Sequence, residues 1–155
     1  GPVVVNVWRK RRKFSPAFFF MFLKYNYPGI TWAVFILIVL GIPGDQLSNR
    51  SFLQIPYLDK IIHMVLFLIL VFLISRGFFL QHQFTFLYRF SIPSVLIIGI
   101  AYSGLTEILQ AFVFKGRTAD ISDFIFDVIG CFCGLLLFLF MKKIKLIKEK
   151  NKQRI

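Results

Sequence analysis

Long apolar runs separated by short polar stretches dominate the chain. Four runs approach the length of about 20 residues that a helix needs to cross the hydrocarbon core of a bilayer. They lie near residues 27–43, 60–80, 89–112 and 121–141. The first is short and is expected to end at Pro43-Gly44. The pattern predicts an all-α membrane protein, a bundle of about four transmembrane helices.

A Phe-rich stretch at residues 14–23 precedes the first run and is too short to span a bilayer by itself. It predicts either an N-terminal interfacial helix or an extension of the first span. We therefore expect a basic, Phe-rich segment at 1–26, a transmembrane domain at 27–141 and a basic tail at 142–155. Gly1-Pro2 is typical of the residues left after protease removal of a tag, and we set it aside.

Composition agrees with a membrane protein, since 57% of the residues are hydrophobic and 17% are charged. Net charge is +12, from 19 Lys and Arg against 7 Asp and Glu. The basic residues flank the apolar runs, as expected for topology signals and for contacts of the tail with anionic lipid headgroups. We therefore expect membrane lipids as partners and no nucleic acid.

The distribution of Lys and Arg predicts the orientation of the bundle. The stretch before the first run, the connection between the second and third, and the tail together carry 15 Lys and Arg, and the two other connections together carry 4. By the positive-inside rule, both termini then lie in the cytoplasm.

Ionisable groups concentrate toward the predicted outer ends of the second, third and fourth runs. Because such groups are costly inside a membrane, they usually have partners or a function. Small residues at four-residue spacing, among them Gly130 and Gly134, favour close helix contacts that would bring these groups together. The candidate binding residues are Asp59, Lys60, His63, Glu107, Gln110, Arg117, Asp120, Asp123 and Asp127.

Each candidate also has a structural interpretation, such as helix capping or a hydrogen bond between helices. Asp127 is the deepest and needs Arg117, His63, Lys60 or a proton as its partner. We expect no metal site, because the cluster has one histidine and no recognisable zinc motif. Cys131 and Cys133 lie two apart on a helix and are expected to be unpaired, and no particular cofactor is indicated.

The ordered set of motifs resembles the VanZ-like family of bacterial membrane proteins. Its elements are D-K-x-x-H from Asp59, E-x-x-Q from Glu107, and G-R-x-x-D-x-x-D from Gly116. The resemblance covers about residues 32–141. Asp127 departs from the family pattern, which usually has Asn there. The resemblance implies a multi-pass inner-membrane protein, in a family whose founding member is associated with resistance to the glycopeptide teicoplanin.

Three functions are compatible with the sequence. The first is an extracytoplasmic-side polar pocket that binds a lipid headgroup, a lipid-linked envelope precursor or a lipophilic ligand. The second is an intramembrane enzyme acting on a lipid-linked substrate, with His63, Glu107, Asp123 or Asp127 as candidate catalytic groups. The third is a structural or partner-binding subunit, in which the polar groups serve helix packing.

Overall fold

A computed structural model describes residues 16–42, 58–81, 89–114 and 120–152. They form four helices: α1 (Pro16–Leu40), α2 (Leu58–Leu80), α3 (Ser91–Phe112) and α4 (Ile121–Lys152). Each contains a stretch long and apolar enough to cross a membrane, namely Phe19–Leu40, Leu58–Leu80, Ser91–Phe112 and Ile121–Leu146. The predicted all-α bundle of four transmembrane helices is confirmed.

Helix α1 begins earlier than residue 27, where the first apolar run was expected to start. It extends from Pro16 and includes Pro28 in its interior. The Phe-rich stretch is therefore an extension of the first span, from Pro16 onward, and is not a separate interfacial helix. The residues before Pro16 lie outside the described part of the chain. So does Pro43-Gly44, where the first apolar run was expected to end. At the other end of the molecule, α4 continues beyond residue 141 to Lys152.

Helix α2 lies at the centre of the bundle and contacts the other three helices. Its closest neighbour is α4, which runs parallel to it. A Cβ atom on Gly130 would collide with the carbonyl oxygen of Met64, and one on Gly134 with that of Leu68. The two helix backbones can approach this closely only because both positions lack a side chain.

Helix α1 packs on the opposite side of α2 from α4. Two long side chains tie it to its neighbours: the Trp32 indole donates to the Leu66 carbonyl at 2.9 Å, and the Tyr102 hydroxyl donates to the Ala33 carbonyl at 2.6 Å. Both acceptors are helix carbonyls, and in an apolar medium such bonds hold helices together.

The apolar core lies between these helices and is formed by buried side chains such as Phe67, Leu70 and Val95. Many large apolar side chains point outward instead, as expected for helices surrounded by lipid. We call the end of the bundle near Leu40, Leu58 and Phe112 the polar end. The opposite end, near Leu80 and Ser91, is the basic end.

Candidate functional site

Lys60, in the first turn of α2, joins that helix to the start of α4 at the polar end. Its ammonium group donates to Asp120 Oδ2 and to Asp123 Oδ1, each at 2.9 Å. The Asp120 carboxylate also accepts from the backbone N–H of Ser122, so Asp120 is the N-cap residue of α4. The bond from Lys60, followed by that from Ser122, lowers the pKa of Asp120 from its ordinary value of 3.8 to about 2.

His63 and Asp127 form a pair one turn deeper in the bundle. His63 Nδ1 lies 3.2 Å from Asp127 Oδ1, and both side chains are fully buried. Ser103, on α3, donates its hydroxyl to Asp127 Oδ2 at 2.8 Å. Of the residues that the sequence allowed as partners for the deepest carboxylate and that the structure describes, His63 is the one in contact with it.

Glu107, one turn beyond Ser103 on α3, is 8% exposed. Its Oε2 accepts from the backbone N–H of Asp120 at 3.1 Å. Within the described part of the chain, its Oε1 is buried without a hydrogen-bond partner, and so are His63 Nε2 and Gln110 Oε1. Buried polar atoms without partners cost free energy, so three of them close to one end of the bundle need an explanation.

We define the polar cluster as Lys60, His63, Ser103, Glu107, Gln110, Asp120, Asp123 and Asp127. Asp59 borders it, half-buried in the first turn of α2. Among the described residues of this end, Lys60 is the single Lys or Arg near the carboxylates of Asp59, Glu107, Asp120, Asp123 and Asp127. This excess of carboxylates over basic groups favours a ligand that donates hydrogen bonds or carries positive charge.

Two overlapping groups of side chains could hold a metal ion. His63, Glu107 and Asp127 each offer one ligand atom, and these atoms lie within 4.8 Å of one another. Asp59, His63 and Asp123 do the same. Imidazole with carboxylates is a zinc-like donor set. The expectation of no metal site therefore stays a prediction.

Eight of the nine residues expected at the site lie at the polar end, on α2, α3 or the start of α4. Arg117 lies outside the described residues. Two contributors were not singled out as ligands by the sequence. They are Ser103 and Thr106, whose hydroxyl donates to the Ser103 carbonyl at 2.8 Å.

A second buried polar contact lies near the basic end and was not anticipated. Asn26 donates to the Gln81 side chain at 3.4 Å and to the carbonyl of Phe22 at 2.9 Å. Asn26 lies two residues after Lys24 and Gln81 follows the last turn of α2, so both residues resemble surface positions in the sequence. Only the packing of α1 against α2 buries them.

A family model described as VanZ/LLP1 matches residues 3–142. No curated protein and no solved structure matches the chain. The matched range includes all four apolar spans up to the last turns of α4 and every residue of the polar cluster.

Proposed function

The chain belongs to the VanZ/LLP1 family and is a multi-pass membrane protein, and from this premise we propose that its polar end binds the head of a lipid-linked envelope component. The head is one that presents hydroxyl or amino groups. The observation that carries the proposal is a set of buried atoms that have no hydrogen-bond partner among the described residues: His63 Nε2, Glu107 Oε1 and Gln110 Oε1.

These atoms define the chemistry of the ligand. A carboxylate oxygen and an amide oxygen can only accept hydrogen bonds, and the imidazole nitrogen can accept or donate. A sugar hydroxyl or an ammonium group supplies donors that would satisfy them. Lys60 is already engaged by Asp120 and Asp123, so it contributes little free positive charge toward a phosphate.

The surroundings favour a ligand with a lipid tail. Around the polar cluster the helices turn large apolar side chains outward, among them Ile61 on α2, Ile108 on α3 and Ile125 on α4. An amphiphile could therefore place its chains against these faces while its head reaches the cluster. A hydrophilic solute without a hydrocarbon chain would gain no binding free energy from these apolar side chains.

The side of the membrane follows from the Lys and Arg distribution, which directs the polar end outward. Lipid-linked wall precursors are exposed there, and a lipophilic glycopeptide such as teicoplanin reaches the cell from that side. A protein that binds either one would change how much antibiotic meets its target. We therefore extend the proposal to a link with teicoplanin susceptibility, in line with the family resemblance.

The test uses purified protein in nanodiscs of phosphatidylcholine, whose head has no N–H donor. Probes are a polyprenyl-diphosphate-linked amino sugar, phosphatidylethanolamine and, as a control, polyprenyl phosphate without sugar. We expect the first two to bind. Glu107→Gln should weaken binding of the ammonium-bearing head about tenfold or more, because a hydrogen bond to a charged group contributes about 1.5–3 kcal/mol.

Thr31→Val is the control, since the Thr31 hydroxyl is exposed and, among the described residues, donates to carbonyls of its own helix. It should bind all probes as the parent protein does. Thermal unfolding of each variant shows whether it is folded. A folded Glu107→Gln variant with unchanged affinity would refute a ligand role for this carboxylate. Glu107→Gln and Asp127→Asn variants that both fail to fold would instead support the packing interpretation.

A catalytic role is the second candidate, and one observation favours it. Asp127 contacts Nδ1 of His63, while Nε2 has no partner in the part of the chain that the structure describes; in such an arrangement a carboxylate orients an imidazole base. In the nanodisc samples, release of the sugar head from the lipid-linked probe would support this candidate. Its dependence on added divalent metal or on a chelator would test whether the His63, Glu107 and Asp127 ligand set takes part.

A further inference from the structure

A cleft opens at the basic end, far from the polar cluster. It lies between α2, α3 and α4 and has a volume of about 240 Å³. A second cleft of about 530 Å³ adjoins it on the outside of α2 and α4. The two share Phe79, Phe138 and Lys142, and the two phenylalanine rings meet edge-on with centroids 5.9 Å apart.

Basic side chains surround this pair of clefts. Arg89 and Lys142 line the first, and Arg76, Lys142 and Lys145 line the second. Lys142 Nζ is held 3.7 Å from the centroid of the Phe79 ring, on the boundary between them. Every acidic side chain that the structure describes lies instead at the polar end. The cleft therefore has a local excess of positive charge that no described acidic group offsets.

Ser75 shows that the first cleft is a polar site and not only a gap between helices. Its side chain lines the cleft and is 3% exposed. Its hydroxyl has no hydrogen-bond partner among the described residues. Serine and threonine inside apolar helices usually bond back to a carbonyl of their own helix. A hydroxyl without such a bond, in a cleft that Arg89 and Lys142 also line, is available to donate to an anion.

The remaining walls are apolar. Val95, Leu135 and Leu139 line the inner cleft, and Phe72, Leu80 and Met141 line the outer one. The combined volume falls within the roughly 300–1,000 Å³ usual for small-molecule sites. Cations at the membrane boundary above an apolar floor match a molecule with an anionic head and a hydrocarbon tail.

We propose that this basic cleft binds an anionic phospholipid, with its phosphate between Arg89 and Lys142, the Ser75 hydroxyl donating to a phosphate oxygen and an acyl chain along the apolar walls. The inference is independent of the proposed function, which concerns the other end of the bundle. It differs from general attraction of a basic tail to a membrane, because it assigns the lipid to particular neighbouring side chains.

The experiment compares two adjacent lysines. Lys142 lines both clefts, whereas Lys143 is exposed and lines neither. Purified full-length protein in neutral detergent is titrated with dioleoylphosphatidylglycerol or dioleoylphosphatidylcholine, and bound lipid is counted by native mass spectrometry. We expect one phosphatidylglycerol to bind more tightly than phosphatidylcholine. Lys142→Gln and Arg89→Gln should each weaken it about fivefold, and Lys143→Gln less than about twofold.

Two further variants test the geometry. Arg89→Lys keeps the charge and should retain most of the affinity, whereas Ser75→Ala should weaken binding about two- to tenfold through loss of one hydrogen bond. Unchanged melting temperatures would show that all variants are folded. Equal losses in Lys142→Gln and Lys143→Gln would overturn the proposal in favour of general surface attraction. Equal binding of the two lipids, or displacement of phosphatidylglycerol by an equimolar amount of inorganic phosphate, would overturn it as well.

Discussion

At the scale of single residues, Asp120 connects three parts of the polar end. Its side chain accepts from Lys60 on α2, its backbone N–H donates to Glu107 on α3, and its carbonyl accepts from the N–H groups of Asp123 and Phe124 at the start of α4. The residue is also the point where the chain enters α4. One position thus fixes the start of this helix relative to its two neighbours.

The Lys60–Asp120 contact predicts a defined dependence of stability on pH. The pKa of Asp120 is lowered from 3.8 to about 2, so the folded state favours the ionised form and gains stability above pH 4. That gain should disappear as the pH falls from about 4 to about 2. The measurement is the difference in thermal unfolding temperature between the parent protein and Asp120→Asn in detergent.

The comparison with Asp120→Asn removes the contribution of the other carboxylates, which titrate in both proteins. The difference should also shrink at high salt, because the Asp120 side chain is 48% exposed and its ion pair is screened by solvent. A difference that persists below pH 2 would contradict a role for the ionised carboxylate.

At the scale of helices, the parallel pair of α2 and α4 positions the polar cluster. Lys60 and His63 lie on α2 a little before Met64 and Leu68, and Asp127 lies on α4 one turn before Gly130. The close approach at Gly130 and Gly134 therefore sets how near the His63 and Asp127 side chains can come. The geometry of the polar cluster therefore depends on how closely α2 and α4 pack.

Gly134→Ala is expected to destabilise the bundle by about 1–3 kcal/mol, because the new methyl group meets the backbone of α2 and cannot move away from it. Gly104→Ala is the control, since the nearest atom to its new Cβ is a Phe124 ring carbon at 3.9 Å. It should be neutral or stabilise the helix by up to about 1 kcal/mol. Unfolding in detergent with increasing denaturant measures both. Similar effects of the two substitutions would contradict the close packing of α2 on α4.

At the scale of the whole molecule, the two ends differ in the sign of their described charges. Carboxylates collect where α2 and α4 begin, and Arg and Lys collect where α2 ends and α4 leaves the bundle. A helix bundle with such a polarity is expected to insert in one orientation, with the basic end inside the cell. The proposed ligand site and the proposed phospholipid site would then lie on opposite sides of the membrane.

This orientation predicts the labelling of single cysteines in intact cells. In a Cys131→Ser, Cys133→Ser background, Ser122→Cys at the polar end should react with a membrane-impermeant maleimide. Lys145→Cys at the basic end should react only after the cells are opened. The two positions lie on the same helix, so each serves as the control of the other. The opposite pattern would place the polar cluster in the cytoplasm.

The sequence alone predicted four apolar helices, the approximate limits of α2 and α3, and the end of the bundle at which the polar residues collect. Apolar length and the positions of charged residues along each run are local properties, and they suffice for this. The tertiary structure decided which groups pair: His63 with Asp127, Lys60 with Asp120 and Asp123. It also decided which buried atoms have no partner among the described residues, and it brought Ser75, Arg89 and Lys142 to one cleft. Such contacts depend on the rotation and axial register of helices that are distant in sequence. Close packing at residues such as Gly130 and Gly134 sets both, and no periodicity within a single helix contains that information.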